Sequence, residues 1–397
     1  MAIKILTIFG TRPEAIKMAP VVKALKGDWV INKVCVTGQH TEMLTPVLDL
    51  FDIRPDFTLD VMLPNQTLAA LTAKILVGLD TILQQFKPAI ILVHGDTTTT
   101  FAASLAAYYH HIPVGHVEAG LRTGNLYSPW PEEANRCLTT TLTDLHFAPT
   151  ACARDNLLAE GVPADKIYVT GNTVVDALLE GNRKIETQSA LRKNLAQEFP
   201  FLNDSRRMIL VTGHRRENFG QGLQNICEAI RQIASLFPKV DIVYPVHLNP
   251  CVQTPVHQHL EGLTNVHLIE PLGYLPFIYL MKRAYMILTD SGGIQEEAPS
   301  LGKPVLLMRD TSERPEAILS GAVQLVGANS QAIVENVSAL LEDEAVYNHF
   351  RCMTNPYGAG DAAEKIVQAL KEVFAEKSSA EHRSDSQPAM SKVVQQV

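Results

Sequence analysis

The sequence predicts an α/β protein made of two doubly wound domains, and three observations carry that expectation. Short, continuous apolar runs rich in β-branched residues recur along the chain, each followed by a turn and an amphipathic stretch. Runs of that kind are strands buried on both faces, which is the signature of a parallel sheet covered by helices. The pattern proceeds once to Gly171-Asn172 and then restarts. Right-handed crossovers between such strands wind each half doubly around its sheet.

Taken in order, Ile3–Phe9 reads as a strand followed by a helix over Pro13–Lys26. Val34–Thr37 leads to a helix from about Glu42, Ile90–His94 leads to a helix through Ala107, and Pro113–Glu118 is another strand. After the restart, strands are expected at Met208–Thr212, Val240–His247, Val266–Ile269, Met286–Thr289, Val305–Met308 and Val323–Val326. Leu223–Leu236 and Ile294–Ser300 read as helices between them. The expected domains are 1–171 and 172–357, joined near 171–190. Asn355-Pro356-Tyr357-Gly358 breaks the chain before a last helix, about Ala362–Glu376, expected to cross back (358–376) onto the first domain. From Lys377 to Val397 the chain is rich in Ser, Gln and charge and reads as a disordered tail.

Composition narrows the class. The chain has 397 residues, with Lys plus Arg at 34 against Asp plus Glu at 42, a formal net charge of −8. That balance argues against broad nucleic-acid binding, which needs a basic face. Hydrophobic residues make up 46% and charged residues 19%, as in a folded protein with ample core. No apolar run approaches the roughly 18 residues of a membrane helix. The opening run to Gly10 is short and is followed by Thr11-Arg12-Pro13-Glu14 without a small-residue cleavage site, so it reads as a strand rather than a signal peptide. The six cysteines form no CxxC pair, which fits single thiols in a reducing compartment. A cytoplasmic chain with neither a membrane nor a nucleic-acid partner is expected.

Ligands of open parallel sheets bind beyond the carboxyl ends of the strands, and five stretches there carry chemistry. Phe9-Gly10-Thr11-Arg12-Pro13-Glu14 runs from a strand into a helix whose free N–H groups attract anions, with Arg12 and Lys17 to assist; an ordinary turn with solvated cations fits equally. Asp96, in His94-Gly95-Asp96-Thr97, is a helix N-cap in the commonest use of Asp there, or else a base or a sugar-hydroxyl acceptor. Glu118 ends a strand before a glycine, and Glu132 and Glu133 open a helix, where carboxylates also simply complement the dipole. Acids gathered at one sheet edge push each other's pKa apart and so supply both an acid and a base. His214, in Gly213-His214-Arg215-Arg216-Glu217, suits proton transfer beside a pyrophosphate, or belongs to a surface loop. Ser291-Gly292-Gly293 is a small-residue turn opening a helix, suited to phosphate oxygens, with Glu297 one turn on to accept ribose hydroxyls and Arg314 after the next strand.

Other chemistries lack their patterns. Gly302-Lys303-Pro304 is not a Walker A motif, and Gly358–Ala363 matches GxGxxA only by letter, after a turn rather than a strand. No metal-ligand spacing and no GxSxG elbow occur. Neither a cofactor nor a metal is expected.

With these motifs in their order, the sequence resembles the bacterial non-hydrolysing UDP-N-acetylglucosamine 2-epimerases. The likeness rests on Gly10–Glu14, Val93–Thr99, Gly115–Arg122, Pro131-Glu132-Glu133, Thr212–Asn218 and Asp290–Glu297, and extends to about residue 376. It implies two Rossmann-like domains facing a cleft, as in the GT-B glycosyltransferases, the second binding UDP, and a homodimer. It implies interconversion of UDP-N-acetylglucosamine and UDP-N-acetylmannosamine, feeding polysaccharide synthesis. By motif, Asp96, Glu118, Glu132 and His214 match the family's catalytic set. Arg12, Lys17, Phe277, Ser291, Gly292, Gly293, Glu297 and Arg314 match its nucleotide-sugar contacts, and Asp96, Glu118 and His214 are expected to touch substrate as well. Gln39-His40-Thr41-Glu42 departs from members that bind a second UDP-N-acetylglucosamine there, so allosteric activation is not carried over. A hydrolysing relative, a transferase and a nucleotide-sugar sensor are the competing readings.

Overall fold

The computed structural model describes residues 2–38, 41–63, 66–312 and 314–385. Gln39 and His40 of the departing stretch, Glu313, and the end of the expected tail from 386 lie outside them.

Two parallel sheets form. The first comprises β1 (Ile3–Phe9), β2 (Val30–Val36), β3 (Phe57–Thr58), β4 (Ile90–His94), β5 (Val114–Val117), β6 (Leu145–Ala148) and β7 (Ile167–Val169), in the order β3-β2-β1-β4-β5-β6-β7. The second comprises β8 (Arg207–Thr212), β9 (Val240–Pro245), β10 (Val266–Ile269), β11 (Met286–Thr289), β12 (Val305–Leu307) and β13 (Val323–Leu325), in the order β10-β9-β8-β11-β12-β13. The register pairs Ile5 with Ile90 and Val211 with Leu288. In each sheet the winding reverses between the first strand and its fourth, so the loops leaving those strands diverge and open a crevice.

The sequence dictates this through alternation. Leu6 and Ile8 of β1 enter a core beneath the Leu68–Phe86 and Thr98–Tyr109 helices, while Ile5 and Phe9 face the Arg12–Ala24 helix. The second core runs without interruption into the other sheet through Val174 and Leu178 of the Thr173–Thr187 helix, then Leu210 and Ile287. The Thr173–Thr187 helix thereby joins the cores of the two Rossmann-like domains.

The last helix, Ala362–Asp385, packs Ile366 and Leu370 into that core and touches the Arg12–Ala24 and Thr173–Thr187 helices. It runs past the expected end at Glu376, because neither Gly nor Pro interrupts residues 377–385. Among the described residues, no helix is long and apolar enough to cross a membrane.

Candidate active site

The first strand edge is organised by Glu14. Thr11 caps the Arg12–Ala24 helix, and buried Glu14 completes a capping box: its Oε2 accepts the N–H groups of Gly10 (3.0 Å) and Thr11 (2.7 Å). Its Oε1 accepts the hydroxyls of Thr97 (2.7 Å) and Thr100 (3.2 Å), tying the loop after β1 to the loop after β4. Burial raises its carboxyl above the usual range. The helix so anchored carries Arg12 and Lys17 towards the second sheet.

Asp96 is not the N-cap of the following helix. Thr97 takes that role, accepting the N–H of Thr100 (3.2 Å), and leaves the Asp96 carboxylate to Arg136, which donates to it from Nε (3.0 Å) and Nη2 (2.6 Å). Arg136 also holds Glu133 (2.7 Å), whose other oxygen accepts the N–H groups of Thr123 and Gly124, both at 2.9 Å. Burial pushes Glu133 up, but these donors outweigh it and hold the carboxyl below its usual value. Glu133 is thus a loop anchor. Its neighbour Glu132 keeps a buried Oε2 that has no hydrogen-bond partner among the described residues.

Glu118 follows β5 at φ 64°, a left-handed conformation that costs a non-glycine residue about 1–2 kcal/mol. Its Oε2 accepts from Lys17 Nζ and from Asn172 Nδ2 (2.8 Å), and His94 Nε2 lies 3.8 Å away. Burial alone raises this carboxyl, yet Lys17 and its neighbours prevail and hold it well below the carboxylate range. His94 is buried and driven down to about 4 by desolvation, so it is neutral at physiological pH. Lys17 reaches onward to Glu296 Oε2 (3.3 Å) on the second sheet's Gly292–Glu297 helix, and Glu296 Oε1 accepts from Arg314 Nε (2.6 Å). Glu118, Lys17, Glu296 and Arg314 form one ionic chain across the cleft.

The second edge is held by Asp290, which follows β11. Its Oδ2 accepts the N–H groups of His214 (2.9 Å) and Arg215 (2.8 Å) and the Asn218 amide (3.2 Å), fixing the loop after β8. The His214 ring stacks on His247 with centroids 5.4 Å apart and is 39% exposed. Its partial burial lowers its pKa against the pull of Asp290. Ser291 precedes the two glycines that open the Gly292–Glu297 helix. Glu297 is buried, accepts the Tyr274 hydroxyl (3.1 Å), and is pushed up to about 7 by desolvation.

Between the edges lies a cavity of about 460 Å³, a size that suits a small-molecule ligand. Arg12, Lys17, His214, Phe277, Ser291, Gly293 and Glu297 line it. Asp96, Glu118, Glu132, Gly292 and Arg314 do not. Glu118 and Arg314 connect to it through the ionic chain centred on Lys17, and Arg314 is turned to Glu296 rather than to the Ser291–Gly293 turn. Sequence reasoning did not single out Glu14, His94, Arg136, Asn172, Tyr274, Asp290 or Glu296. The Thr-x-x-Glu spacing was a signal for Glu14, and a strand-end Asp was one for Asp290. Arg136 and Asn172 meet partners 40 and 54 residues away, which no local pattern announces. Among the described residues, no group of three or more His, Cys, Asp or Glu side chains is placed to hold a metal ion.

Comparison with known proteins adds to this geometry. A family model described as UDP-N-acetylglucosamine 2-epimerase matches residues 23–371. The UDP-N-acetylglucosamine 2-epimerase of Yersinia pestis is 60% identical over 369 residues, covering 93% of this chain and 98% of that protein. The crystal structure of the Neisseria meningitidis UDP-GlcNAc 2-epimerase bound to UDP-GlcNAc superposes with a TM-score of 0.87 at 54% identity, over 93% of this chain and 100% of that one. A glycosyltransferase from Rickettsia africae shares the fold alone, with a TM-score of 0.62 at 14% identity over 94% of this chain and 99% of that one.

Proposed function

The chain belongs to the UDP-N-acetylglucosamine 2-epimerase family, and from that premise we propose that it interconverts UDP-N-acetylglucosamine and UDP-N-acetylmannosamine without hydrolysing them. The C2 proton of the sugar is not adjacent to a carbonyl and is poorly acidic. Inversion there proceeds by expelling UDP from C1 as a base removes the C2 proton, leaving 2-acetamidoglucal. UDP then adds back while an acid delivers a proton to the opposite face of C2. The leaving diphosphate requires fixed positive charge and N–H donors, which Arg12, Lys17 and the Ser291-Gly292-Gly293 turn offer, with Arg314 behind Glu296. Phe277 and Glu297 suit the nucleoside, Glu297 accepting ribose hydroxyls. Asp96, Glu118, Glu132 and His214 are the acid and base groups of this reading. Closure of the cleft keeps glucal and UDP together and away from water.

Lys17 carries the proposal. It lines the cavity that faces the Ser-Gly-Gly turn and at the same time binds Glu118, so one cation couples the leaving group's seat to an acid/base group. The division at Gly171-Asn172 and Tyr357-Gly358, a homodimer, a cytoplasmic location and supply of N-acetylmannosamine units to surface polysaccharide complete the reading.

The test is proton NMR of UDP-N-acetylglucosamine with the purified protein in D2O, with no nicotinamide added. UDP-N-acetylmannosamine carrying deuterium at C2 is the expected product. Free N-acetylmannosamine and UDP would place the chain with the hydrolysing enzymes, and an unchanged spectrum with bound sugar would overturn the proposal.

A further inference from the structure

Glu118 receives one of its hydrogen bonds from outside both strand edges. The chain leaves the first sheet after β7, crosses at Gly171-Asn172 into the Thr173–Thr187 helix, and returns from the second sheet at Tyr357-Gly358. The two crossings touch. The Asn172 N–H donates to the Tyr357 carbonyl (2.8 Å). Gly171 sits at φ 92°, and a Cβ on it would lie 2.9 Å from that same oxygen, so only glycine fits. Asn172 itself is 2% exposed. Its Oδ1 accepts the N–H of Val174 (3.0 Å) and caps the helix, while its Nδ2 donates to Glu118 Oε2 (2.8 Å). A cap needs only an acceptor, which Ser, Thr or Asp would provide as well. The amide donor is additional, and it is aimed at the carboxylate.

We propose that Asn172 is a positioning residue for the reaction: from the joint between the domains it sets the orientation of the Glu118 carboxylate, so that movement of one domain against the other reaches that oxygen. The inference rests on the reading of Glu118 as an acid/base group. The same carboxylate faces Lys17 from the Arg12–Ala24 helix and His94 from β4, with Glu296 and Arg314 beyond Lys17, Asp96 beyond His94, and the Tyr357 phenol behind the joint. Against that background the Asn172 donor favours the anion, and its loss makes Glu118 take up a proton at higher pH.

The experiment compares full-length wild type with Asn172→Asp, Asn172→Ser and Glu118→Gln, by C2 deuterium incorporation from UDP-N-acetylglucosamine as a function of pH. Asn172→Asp keeps the cap acceptor and replaces the donor with a like charge; Asn172→Ser keeps a capping hydroxyl too short to reach Glu118. Both are expected to lose about ten- to a hundredfold in kcat with KM little changed, as for a hydrogen bond to a charged group. The acid limb of their kcat profile moves to higher pH, a shift that a purely structural cap would not produce. If Asn172→Asp does not fold, Asn172→Ser alone decides. Wild-type kcat and an unmoved acid limb in the Asn172 variants, beside an inactive Glu118→Gln, overturn the positioning role. A fully active Glu118→Gln instead overturns the reading beneath it.

Discussion

At the first strand edge the loop after β1 is held by Glu14, a carboxylate from the helix which that loop opens; at the second, the loop after β8 is held by Asp290, from the neighbouring strand β11. Both acids accept backbone N–H groups at the winding reversal of their sheet, yet what they leave exposed differs. The first edge pairs three further acids with cations: Arg136 spans Asp96 and Glu133, and Lys17 binds Glu118. The second presents an exposed His214, a Ser-Gly-Gly turn, and Glu297, which meets a phenol and is pushed up to about 7. One edge stores charge in fixed pairs and suits proton chemistry; the other offers open donors and suits holding a ligand. Lys17 is the residue through which the two meet.

Breaking that meeting point has the largest expected effect. Lys17→Met leaves Glu118 and Glu296 buried without their shared cation, and loss of one partner of a buried pair costs about 3–5 kcal/mol. Under the proposed elimination, in which Lys17 is one of the fixed charges facing the leaving diphosphate, epimerisation should fall by about a thousandfold; thermal unfolding and the NMR assay measure the two effects. Wild-type turnover in this variant would separate the edges and undo the comparison.

Gly293→Ala sharpens the comparison from the other side. A Cβ there meets only the Glu297 carboxylate, at 3.9 Å, so the fold should be unaffected while the methyl enters the cavity. UDP affinity by calorimetry is expected to drop about tenfold, as when one charge-assisted bond is lost. A loss of kcat at saturating substrate without loss of affinity would contradict the division of labour.

Glu297 predicts a pH dependence of binding. A carboxyl raised to about 7 becomes protonated as pH falls through that value, and the protonated form accepts fewer ribose hydroxyls. Between about pH 7.5 and 6, affinity for UDP-N-acetylglucosamine should therefore weaken by up to about eightfold. Glu297→Gln should bind more weakly at the higher pH and lose this dependence; an unchanged slope would remove Glu297 from the site.

The two loop anchors act on stability first and on binding least. Glu14→Gln and Asp290→Asn each swap one acceptor oxygen for an amide at a buried cluster of donors, at a cost of about 1–3 kcal/mol in denaturant unfolding. Asp290→Asn should disturb UDP binding more than Glu14→Gln, because His214 hangs directly from the anchored loop.

Much of the fold was legible. Ile3–Phe9, Ile90–His94, Val266–Ile269 and Met286–Thr289 are strands to the residue, because continuous apolar runs bounded by turn residues admit few other states. Phe57–Thr58, Leu145–Ala148 and Ile167–Val169 were not singled out. They are only two to four residues long, too short for a periodic pattern to show, so neighbouring strands rather than their own pattern make them strands. The site was half legible for a similar reason. Residues held by a strand end or a helix start, such as Arg12, Ser291 and Glu297, announce their position locally. Asp96 leaves the cap to Thr97, and the partner of its carboxylate, Arg136, arrives from a different element.

By itself, the sequence determined where strands end and helices begin, and hence which side chains gather beyond the carboxyl ends of the two sheets, since period, turn chemistry and capping act over a few residues. Only the tertiary structure decided the state of those side chains: Glu118 held as an anion, Glu297 pushed up to about 7, Arg314 turned to Glu296, and Asn172 reaching from the joint to the site. Burial and ion pairing depend on what the rest of the chain packs against a group, and that is set by contacts between residues far apart in sequence.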